Sequence, residues 1–259
     1  MSGVGVGSLA PWWETLKGKC PDGTIGKLCS IERNLEDSRA LYELRYPPPD
    51  PAAESVRIEA GRIARLKAMN LGKIYWDEDF DTFDAYTPEL KRHLDTAMGF
   101  AAKPEGKLVM LGNNGTGKNH LAAAILKAVG GVMYTAYDIG ARLRRCYGGD
   151  GKEWELLDEL CGAPLLVVDE IGRTKGSKAE LDWFSHMINR RHEGGMPAVF
   201  ISNCHLECDC PAGNGCVECF ENFFNRDAIS RIEEDGAIME FSGGDYRRKI
   251  REKGLRGKR

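Results

Sequence analysis

The 259-residue sequence contains no apolar run that approaches the ~20 residues needed for a membrane-spanning helix. The first eight residues are small and glycine-rich, and they lack the basic start and apolar core of a secretory signal. Internal repeats and low-complexity tracts are also missing. These absences argue against a membrane protein, a secreted protein and a repeat protein, and we expect a cytoplasmic protein with no membrane partner.

Disulfides are not expected either, although the chain has nine cysteines. In a reducing compartment, cysteines serve metal binding or simple burial more often than a disulfide framework. Hydrophobic residues make up 42% and charged residues 29%, a balance typical of a globular protein. The length allows one large α/β core plus an appendage, or two modest domains.

The net charge of −3 is small, but basic residues are concentrated in the C-terminal tail, residues 246–259. Eight arginines and lysines stand there against one acid, Glu252. Such a tail can touch nucleic acid or an acidic partner. The alternative is a solvated terminus without a partner.

The clearest linker is the Pro-Pro-Pro-Asp-Pro run at 47–51, because proline cannot continue a helix and favours extended backbone before it. A helix is predicted to follow, from Glu54 to about Asn70. We interpret residues 1–70 as a small, mostly helical accessory region that binds a partner. The other interpretation is an extension packed loosely on the main domain, residues 71–259.

The main domain alternates apolar strands with amphipathic helices, a pattern that predicts a parallel sheet wrapped by helices. Strands are expected at 107–111, 132–136, 164–170 and 198–203. The helix after the second strand should begin at an N-cap, Asp138, and run to Tyr147. The predicted fold class is α/β, a P-loop NTPase with a three-layer parallel sheet.

A glycine-rich turn separates the first strand from the next helix. Its Gly-x-x-x-x-Gly-Lys pattern is typical of phosphate-binding loops, in which backbone N–H groups and a helix N-terminus surround a phosphate. Lys118 adds a full positive charge. The Ser or Thr that usually follows the lysine and binds magnesium is Asn119. The predicted nucleotide-binding residues are Gly112, Asn113, Asn114, Gly115, Thr116, Gly117, Lys118, Asn119 and His120.

Two acids, Asp169 and Glu170, end the strand at 164–170, and Asn203 ends the next. In a P-loop ATPase the first acid holds magnesium and the second polarises the attacking water. Strand ends converge at the carboxyl edge of a parallel sheet, so these residues should face Lys118. The alternatives are a surface turn for the two acids and a turn-forming role for Asn203.

Four segments together resemble the DnaC family of replicative helicase loaders, which are AAA+ ATPases similar to the DnaI loaders and to IstB transposition helpers. They are Gly-Thr-Gly-Lys-Asn-His-Leu-Ala-Ala-Ala-Ile at 115–125, Leu-Leu-Val-Val-Asp-Glu-Ile-Gly at 165–172, Ile-Ser-Asn at 201–203 and Asp-Tyr-Arg at 245–247. The similarity covers about residues 75 to 250. Lys-Asn-His is its most discriminating part, and an asparagine amide oxygen can still serve a hydrated magnesium.

The resemblance implies that ATP and Mg²⁺ are the cofactors, with Asn119 and Asp169 at the metal. It makes Asp169 and Glu170 the Walker B acids, Asn203 sensor 1, Arg231 an arginine finger that acts on a neighbouring subunit, and Arg247 the sensor-2 arginine. A guanidinium supplied in trans makes hydrolysis depend on assembly. The alternative is that both arginines are surface cations.

A single-stranded DNA contact is expected on the helix after the second strand, because positive charge and an aromatic ring suit a nucleic-acid backbone and its bases. The candidates are Arg142, Arg144, Arg145 and Tyr147. Helices also carry arginine for solubility.

The segment 204–219 departs from the family pattern as a cysteine-rich insertion. Cys208, Cys210, Cys216 and Cys219 form Cys-x-Cys and Cys-x-x-Cys pairs around a Pro/Gly turn, which fits a tetrahedral Zn²⁺ site. Free thiols in a mobile loop and an iron–sulfur cluster are the alternatives. Cys204 and His205 are spare ligands, whereas Cys20 and Cys29 are expected to be ordinary residues.

We therefore expect an ATPase that loads a DnaB-type replicative helicase onto single-stranded DNA, assembles in an oligomeric ring or spiral, and uses ATP binding and hydrolysis to control release. One alternative is an IstB-like transposition helper, and the Lys118-Asn119 pair argues against it. Another is a non-hydrolysing adaptor that binds DNA or protein, and Asn119 is the residue that leaves this alternative possible. A small-molecule kinase is a weaker alternative, because the finger-type arginine and the basic tail suggest polymeric partners.

Overall fold

The computed structural model describes residues 50–173, 176–204, 220, 224 and 226–246 of the chain. The chain divides into two compact units, Met1–Ala60 and Gly61–Arg259. Within the described part, no helix combines the length and apolarity needed to cross a membrane. The expectation that the N-terminal region ends near residue 70 and binds a partner stays a prediction.

Seven helices and five strands are described. The helices are α1 (Pro51–Ala68), α2 (Pro88–Ala102), α3 (Lys118–Val129), α4 (Ala136–Tyr147), α5 (Glu153–Gly162), α6 (Lys178–Glu193) and α7 (Arg226–Asp235). The strands are β1 (Lys107–Gly112), β2 (Val132–Thr135), β3 (Leu166–Ile171), β4 (Ala198–Ser202) and β5 (Gly236–Phe241). Short 3-10 helices at Lys73–Tyr75 and Phe80–Thr82 lie between α1 and α2.

All five strands are parallel and pair in the order β2-β3-β4-β1-β5. Lys107 at the start of β1 is in register with Ala198 of β4 and Gly236 of β5. This sheet confirms the α/β expectation. Because β3, β4 and β1 are neighbours, the residues that follow their carboxyl ends meet at one edge of the sheet.

The central strands bury both faces, which gives the three layers. Leu108 and Met110 of β1 pack on one side with the apolar residues of α2 and α3. Val109 and Leu111 pack on the other side with α4, α5, α6 and α7. Burial on both faces explains why these strands are continuous apolar runs in the sequence.

Arg191 is a charged residue inside this core, with an exposed fraction of 1%. Its guanidinium donates to the carbonyl oxygens of Leu160 at 2.5 Å, Ala163 at 3.1 Å, Cys161 at 3.3 Å and Pro197. Burial lowers the pKa of Arg191 to about 10. The side chain thus supplies donors to backbone carbonyls in the last turn of α5, just after it at Ala163, and just before β4 at Pro197, where water cannot reach them.

Two local predictions differ from the structure. The N-cap of α4 is Thr135, whose hydroxyl accepts from the N–H of Asp138 at 3.0 Å, so the prediction that Asp138 is the cap is wrong. Asp138 lies in the first turn instead, where an acid still favours the helix dipole. The strand β5 was not predicted, because only Met239 and Phe241 of this edge strand are buried and its sequence shows no strand pattern.

Candidate nucleotide-binding site

The loop between β1 and α3 can adopt its shape only because three of its residues are glycines. Gly112, Gly115 and Gly117 all have positive φ, at 127°, 76° and 102°. A Cβ on Gly117 would lie 2.7 Å from the ring of Phe83, and one on Gly115 would collide with the carboxylate of Asp245. Side chains at these positions would therefore both strain the backbone and displace their neighbours.

Lys118 lies at the centre of the loop and has an exposed fraction of only 5%. Its Nζ donates to the carbonyl oxygens of Gly112 at 2.6 Å and Asn113 at 2.7 Å, and to Oδ1 of Asn203 at 3.1 Å. The structure thus brings together the lysine and the residue predicted as sensor 1. Three oxygens hold the ammonium group where an incoming phosphate oxygen would compete for it.

Asn119 is joined to the acid at the end of β3. Its Nδ2 donates to Oδ2 of Asp169 at 2.6 Å and to the hydroxyl of Tyr75 at 3.1 Å. The backbone N–H of Glu170 donates to the other oxygen of Asp169 at 2.7 Å. The two residues predicted to serve magnesium are therefore in direct contact.

Asp169 is a largely buried carboxylate. Burial raises its pKa, while the hydrogen bonds from the Glu170 N–H and the Asn119 amide lower it, as does the charge of Lys118. A buried anion of this kind favours a cation placed beside it. Carboxylate and amide oxygens are also ligands that Mg²⁺ accepts, so Asp169 and Asn119 fit such an ion chemically.

Glu170 has a left-handed backbone, with φ at 57°, which is uncommon for a residue other than glycine. The pairing of β3 with β4 is irregular between Val168 and Ile171, on either side of this position. The carboxylate of Glu170 forms an ion pair with Arg173, three residues later. Such local strain is often found at functional sites.

Two chain segments border the loop, and most of their residues belong to no motif in the sequence. The N–H of Tyr246 donates to the carbonyl of Gly115 at 2.9 Å. The hydroxyl of Tyr246 donates to Asp84 at 2.7 Å, and its ring stacks on that of Tyr86 at 5.7 Å between centroids. Only the Asp-Tyr-Arg motif signalled this arrangement.

A second contact fixes the same C-terminal segment. Ser242 donates to the carboxylate of Glu89 from its backbone N–H at 2.9 Å and from its hydroxyl at 2.6 Å. These two hydrogen bonds lower the pKa of Glu89. The beginning of α2 and the chain after β5 are therefore tied together beside the loop.

His120, in the first turn of α3, faces the segment before α2 rather than the loop. Its Nδ1 contacts the carboxylate of Glu78, and its Nε2 lies 2.7 Å from the carbonyl oxygen of Asp79. Phe83 packs against the imidazole edge-on, at 5.2 Å. In this structure His120 positions the neighbouring chain; its predicted role in nucleotide binding stays a prediction.

Arg231 lies on α7, half exposed, and pairs with Glu234 at 3.0 Å. This ion pair lies within α7 and does not involve the phosphate loop. Arg247 falls outside the described residues. The finger and sensor-2 assignments stay predictions.

Each arginine predicted to touch DNA is paired with an acid in this structure. Arg142 forms two hydrogen bonds with Glu159, at 2.8 Å and 2.6 Å. Arg144 pairs with Glu180 and Arg145 with Asp150. Tyr147 is more than half exposed. The pairs of Arg142 and Arg145 lie at the surface, where such contacts contribute little and can exchange for phosphate, whereas the Glu180 partner of Arg144 is buried. The DNA assignment stays a prediction.

The cysteines predicted to bind zinc, Cys208, Cys210, Cys216 and Cys219, fall outside the described residues, as do His205, Cys20 and Cys29. Cys204 is described and buried, with its thiol directed at the carbonyl of Ile171 at 3.9 Å. The thiol of Cys204, which the sequence offered as a spare zinc ligand, therefore points into the core. Over the described ranges, no three His, Cys, Asp or Glu side chains are grouped so that they could hold a metal ion.

A parallel sheet with a glycine-rich loop after β1, an acid near the end of β3 and an asparagine after β4 defines a P-loop NTPase of the AAA+ class. The chain belongs to the IstB-like ATP-binding protein family, whose family model matches residues 57–209. This confirms the family resemblance predicted from the sequence.

Two curated relatives come from Escherichia coli strain K12. The replicative helicase loader DnaC is 34% identical over 105 residues, which cover 38% of this chain and 43% of DnaC. The uncharacterized protein YdaV is 37% identical over 102 residues, which cover 37% of this chain and 41% of YdaV. The matched region thus spans less than half the length of each relative.

Solved structures show the same fold. A crystal structure of the DnaC helicase loader has a TM-score of 0.55 and 24% identity, covering 66% of this chain and 100% of that one. DnaI has a TM-score of 0.53 and 18% identity, covering 70% of this chain and 98% of that one. The replication initiator DnaA, bound to AMPPCP and single-stranded DNA, has a TM-score of 0.53 and 17% identity, covering 73% of this chain and 58% of that one.

Proposed function

We propose that this protein is an ATPase that loads a replicative helicase onto single-stranded DNA and uses ATP binding and hydrolysis to control release. The observation that carries the proposal is the contact of Asn119 with Asp169 at 2.6 Å. It supports a working metal site in a chain whose loop lacks the usual Ser or Thr. The DnaC relatives support the choice of a loader.

Each residue of the site has a role in this proposal. Lys118 and the loop N–H groups would bind the phosphates, and Asn119 and Asp169 would hold the magnesium ion, which neutralises phosphate charge when bound. Glu170 would leave Arg173 and accept a proton from the attacking water. Asn203 would orient that water once Lys118 has moved to the phosphate.

Assembly would complete the site. Arg231 is half exposed, and among the described residues its ion pair is with Glu234 of the same helix, so it would be available to a neighbouring subunit at the cost of a weak surface ion pair. In a ring or spiral its guanidinium would reach the phosphates bound next door, with Arg247 acting within its own subunit. Hydrolysis would then depend on assembly with other copies or with the helicase.

For the DNA, we propose the exposed side of α4. Arg142, Arg144 and Arg145 would exchange their carboxylate partners for phosphates, and Tyr147 would stack on a base. The N-terminal region, residues 1–70, would contact a DnaB-type helicase.

A second candidate is a transposition helper, which the IstB-like family match supports. The two functions differ in the protein partner: a replicative helicase in one case and a transposase in the other. A non-hydrolysing adaptor is the third, because Asn119 replaces the usual hydroxyl.

One experiment separates these possibilities. The full chain carrying Glu170→Gln, which should bind ATP without hydrolysing it, is incubated with purified replicative helicase or transposase, with and without ATP. We expect a stable complex with the helicase, and ATPase activity in wild type that Glu170→Gln removes. Lys118→Ala, which should not bind ATP, is the matched control.

Three results would contradict the proposal in different ways. Capture of transposase and not helicase favours the second candidate. ATP binding without turnover in wild type, even with helicase and single-stranded DNA present, favours the adaptor. A mixture of Lys118→Ala and Arg231→Ala subunits that regains no activity over either variant alone argues against a finger supplied in trans.

A further inference from the structure

We propose that Tyr75 is a positioning residue for the predicted magnesium site, because its hydroxyl accepts a hydrogen bond from the amide nitrogen of Asn119 and so holds the amide in the orientation that would leave its oxygen for the ion. The proposal rests on the proposed function, since it assigns a residue to the same site. Nothing in the sequence motifs points to Tyr75.

The orientation of the Asn119 amide follows from its two partners. Asp169, which lies 2.6 Å from Nδ2, accepts hydrogen bonds when ionised, and an amide oxygen at that distance would be repelled. The second N–H of the same nitrogen is directed at the Tyr75 hydroxyl, 3.1 Å away. Both donors are then used, and Oδ1 is the polar atom that would remain to serve a magnesium ion.

The contrast with the usual hydroxyl explains why an extra residue is needed. A Ser or Thr hydroxyl donates its proton to the acid and offers its lone pairs to the metal from one and the same atom. An asparagine divides these tasks between Nδ2 and Oδ1, so the amide must be held in one of its two orientations. A single contact with Asp169 fixes one N–H, and the contact with Tyr75 fixes the other.

The Tyr75 hydroxyl is itself well placed. Tyr75 ends the 3-10 helix Lys73–Tyr75, and its N–H donates to the carbonyl of Gly72 at 2.9 Å. Its ring packs against the apolar cluster that includes Leu71, and a Cβ added to Gly72 would lie 3.6 Å from the ring. The next residue, Trp76, donates from its indole to the carbonyl of Leu71 at 2.9 Å.

The same contact joins the site to the chain that precedes the core. Tyr75 belongs to the segment between α1 and α2, whereas Asn119 lies in the first turn of α3. The segment thus supplies a polar atom to the metal site in addition to its packing contacts.

The test compares Tyr75→Phe with wild type by the affinity for a fluorescent ATP analogue, measured in Mg²⁺ and again in EDTA. Loss of one hydrogen bond to the amide should weaken binding in Mg²⁺ by about fivefold. Binding in EDTA should be unchanged, because the phosphate contacts of Lys118 and the loop do not involve Tyr75. Tyr137→Phe, which removes the hydroxyl of an exposed tyrosine on α4, is the control.

A second pair of variants tests the mechanism. In an Asn119→Thr background the hydroxyl supplies both functions, so adding Tyr75→Phe should no longer change the Mg²⁺-dependent affinity. The inference is wrong if Tyr75→Phe has no effect in wild type, or if it weakens binding equally in Mg²⁺ and EDTA. It is also wrong if the effect persists beside Asn119→Thr. If Mg²⁺ does not increase the affinity of the wild type for the ATP analogue, the proposed function is wrong. That result is distinct from a failure of the Tyr75 inference alone, in which the wild type still gains affinity from Mg²⁺.

Discussion

Lys118 donates a hydrogen bond from its ammonium group to Oδ1 of Asn203 at 3.1 Å, which joins the phosphate loop to the end of β4. The same nitrogen is held by two carbonyls of the loop. A phosphate that enters must draw the lysine from at least part of this set, and Asn203 then becomes available for another partner. The contact couples occupation of the loop to the position of the predicted sensor.

Asn203→Ala should therefore affect catalysis more than binding. We expect the ATP dissociation constant to stay close to wild type, because the loop carbonyls still hold Lys118. The value of kcat should fall by about a hundredfold, as when a preorganised hydrogen-bonding group is removed from other active sites. Single-turnover hydrolysis and equilibrium binding measure the two quantities.

Asn203→Asp is the informative companion, because it keeps an acceptor for Lys118 but loses the amide donors. It should be as slow as Asn203→Ala. If Asn203→Ala loses ATP affinity and keeps its turnover, the residue serves only to place the lysine.

The ion pair between Arg173 and Glu170 gives a second prediction. Arg173→Ala should raise the ATPase rate of the isolated protein, because the Glu170 carboxylate is released to face the attacking water. An ion pair this exposed contributes at most about 1 kcal/mol, so the expected increase is up to about fivefold. Steady-state phosphate release at saturating ATP measures it.

Two variants calibrate that result. Arg173→Lys keeps a positive charge three residues from Glu170 and should stay near the wild-type rate. Combining Arg173→Ala with Glu170→Gln should abolish hydrolysis. A decrease of the rate in Arg173→Ala alone would mean that the guanidinium assists the reaction, the reverse of the prediction.

The parts of this site that could be predicted from the sequence are those with a fixed spacing on regular elements. The loop from Gly112 to Asn119 follows a buried strand directly, and Asp169 and Asn203 end apolar runs, so the parallel sheet alone brings them together. Tyr75 could not be predicted in this way. Its hydroxyl reaches Asn119 across 44 residues, and an isolated aromatic side chain carries no spacing.

The cysteine-rich insertion provides a third prediction, which concerns metal content. We expect one zinc per chain, lost in Cys208→Ser and in Cys216→Ser, because each variant removes a ligand from a different pair. Cys204→Ala should keep the zinc, since the thiol of Cys204 is directed at the carbonyl of Ile171 in the core. Elemental analysis of the purified proteins decides the matter.

A partly buried cysteine outside the cluster gives the matched control for that series. Cys146→Ser, on α4, should change neither the metal content nor the stability. Iron in place of zinc, with visible absorption, would support the cluster alternative. A metal-free wild type purified without chelator would contradict both assignments.

Arg191 gives a prediction about stability. Arg191→Met keeps much of the volume but removes the donors to four backbone carbonyls, including those of Leu160 and Pro197. Buried acceptors left without a donor cost free energy, and we expect a loss of about 3 kcal/mol in the free energy of unfolding. For a protein of this size the thermal midpoint should fall by about 10 °C.

The neighbouring arginine is the control. Arg190 pairs with Asp158 at the surface at 2.7 Å, and Arg190→Met should cost less than about 1 kcal/mol. Equal losses for the two variants would show that the carbonyl contacts of Arg191 contribute little. Thermal unfolding followed by circular dichroism is sufficient.

Other features escaped the sequence because tertiary contacts decide them. Arg191 and Arg190 are adjacent in sequence, and nothing in the pattern tells which one is buried. Thr135 and Asp138 are both good N-caps, and the geometry at the end of β2 selects Thr135. The strand β5 shows too few buried positions to be separated from a loop by periodicity.

The hydrogen bond from Tyr246 to Gly115, together with the contacts of Tyr246 with Asp84 and Tyr86, has a mechanical consequence. The chain that enters the core before α2 and the chain that leaves it after β5 are fastened to each other at the tip of the same loop. A displacement of Gly115 on nucleotide binding would therefore move the segment before α2 and the segment after β5 together. Partners bound to the chain before α2 and after β5 would then be affected by the same displacement, without any movement of the sheet between them.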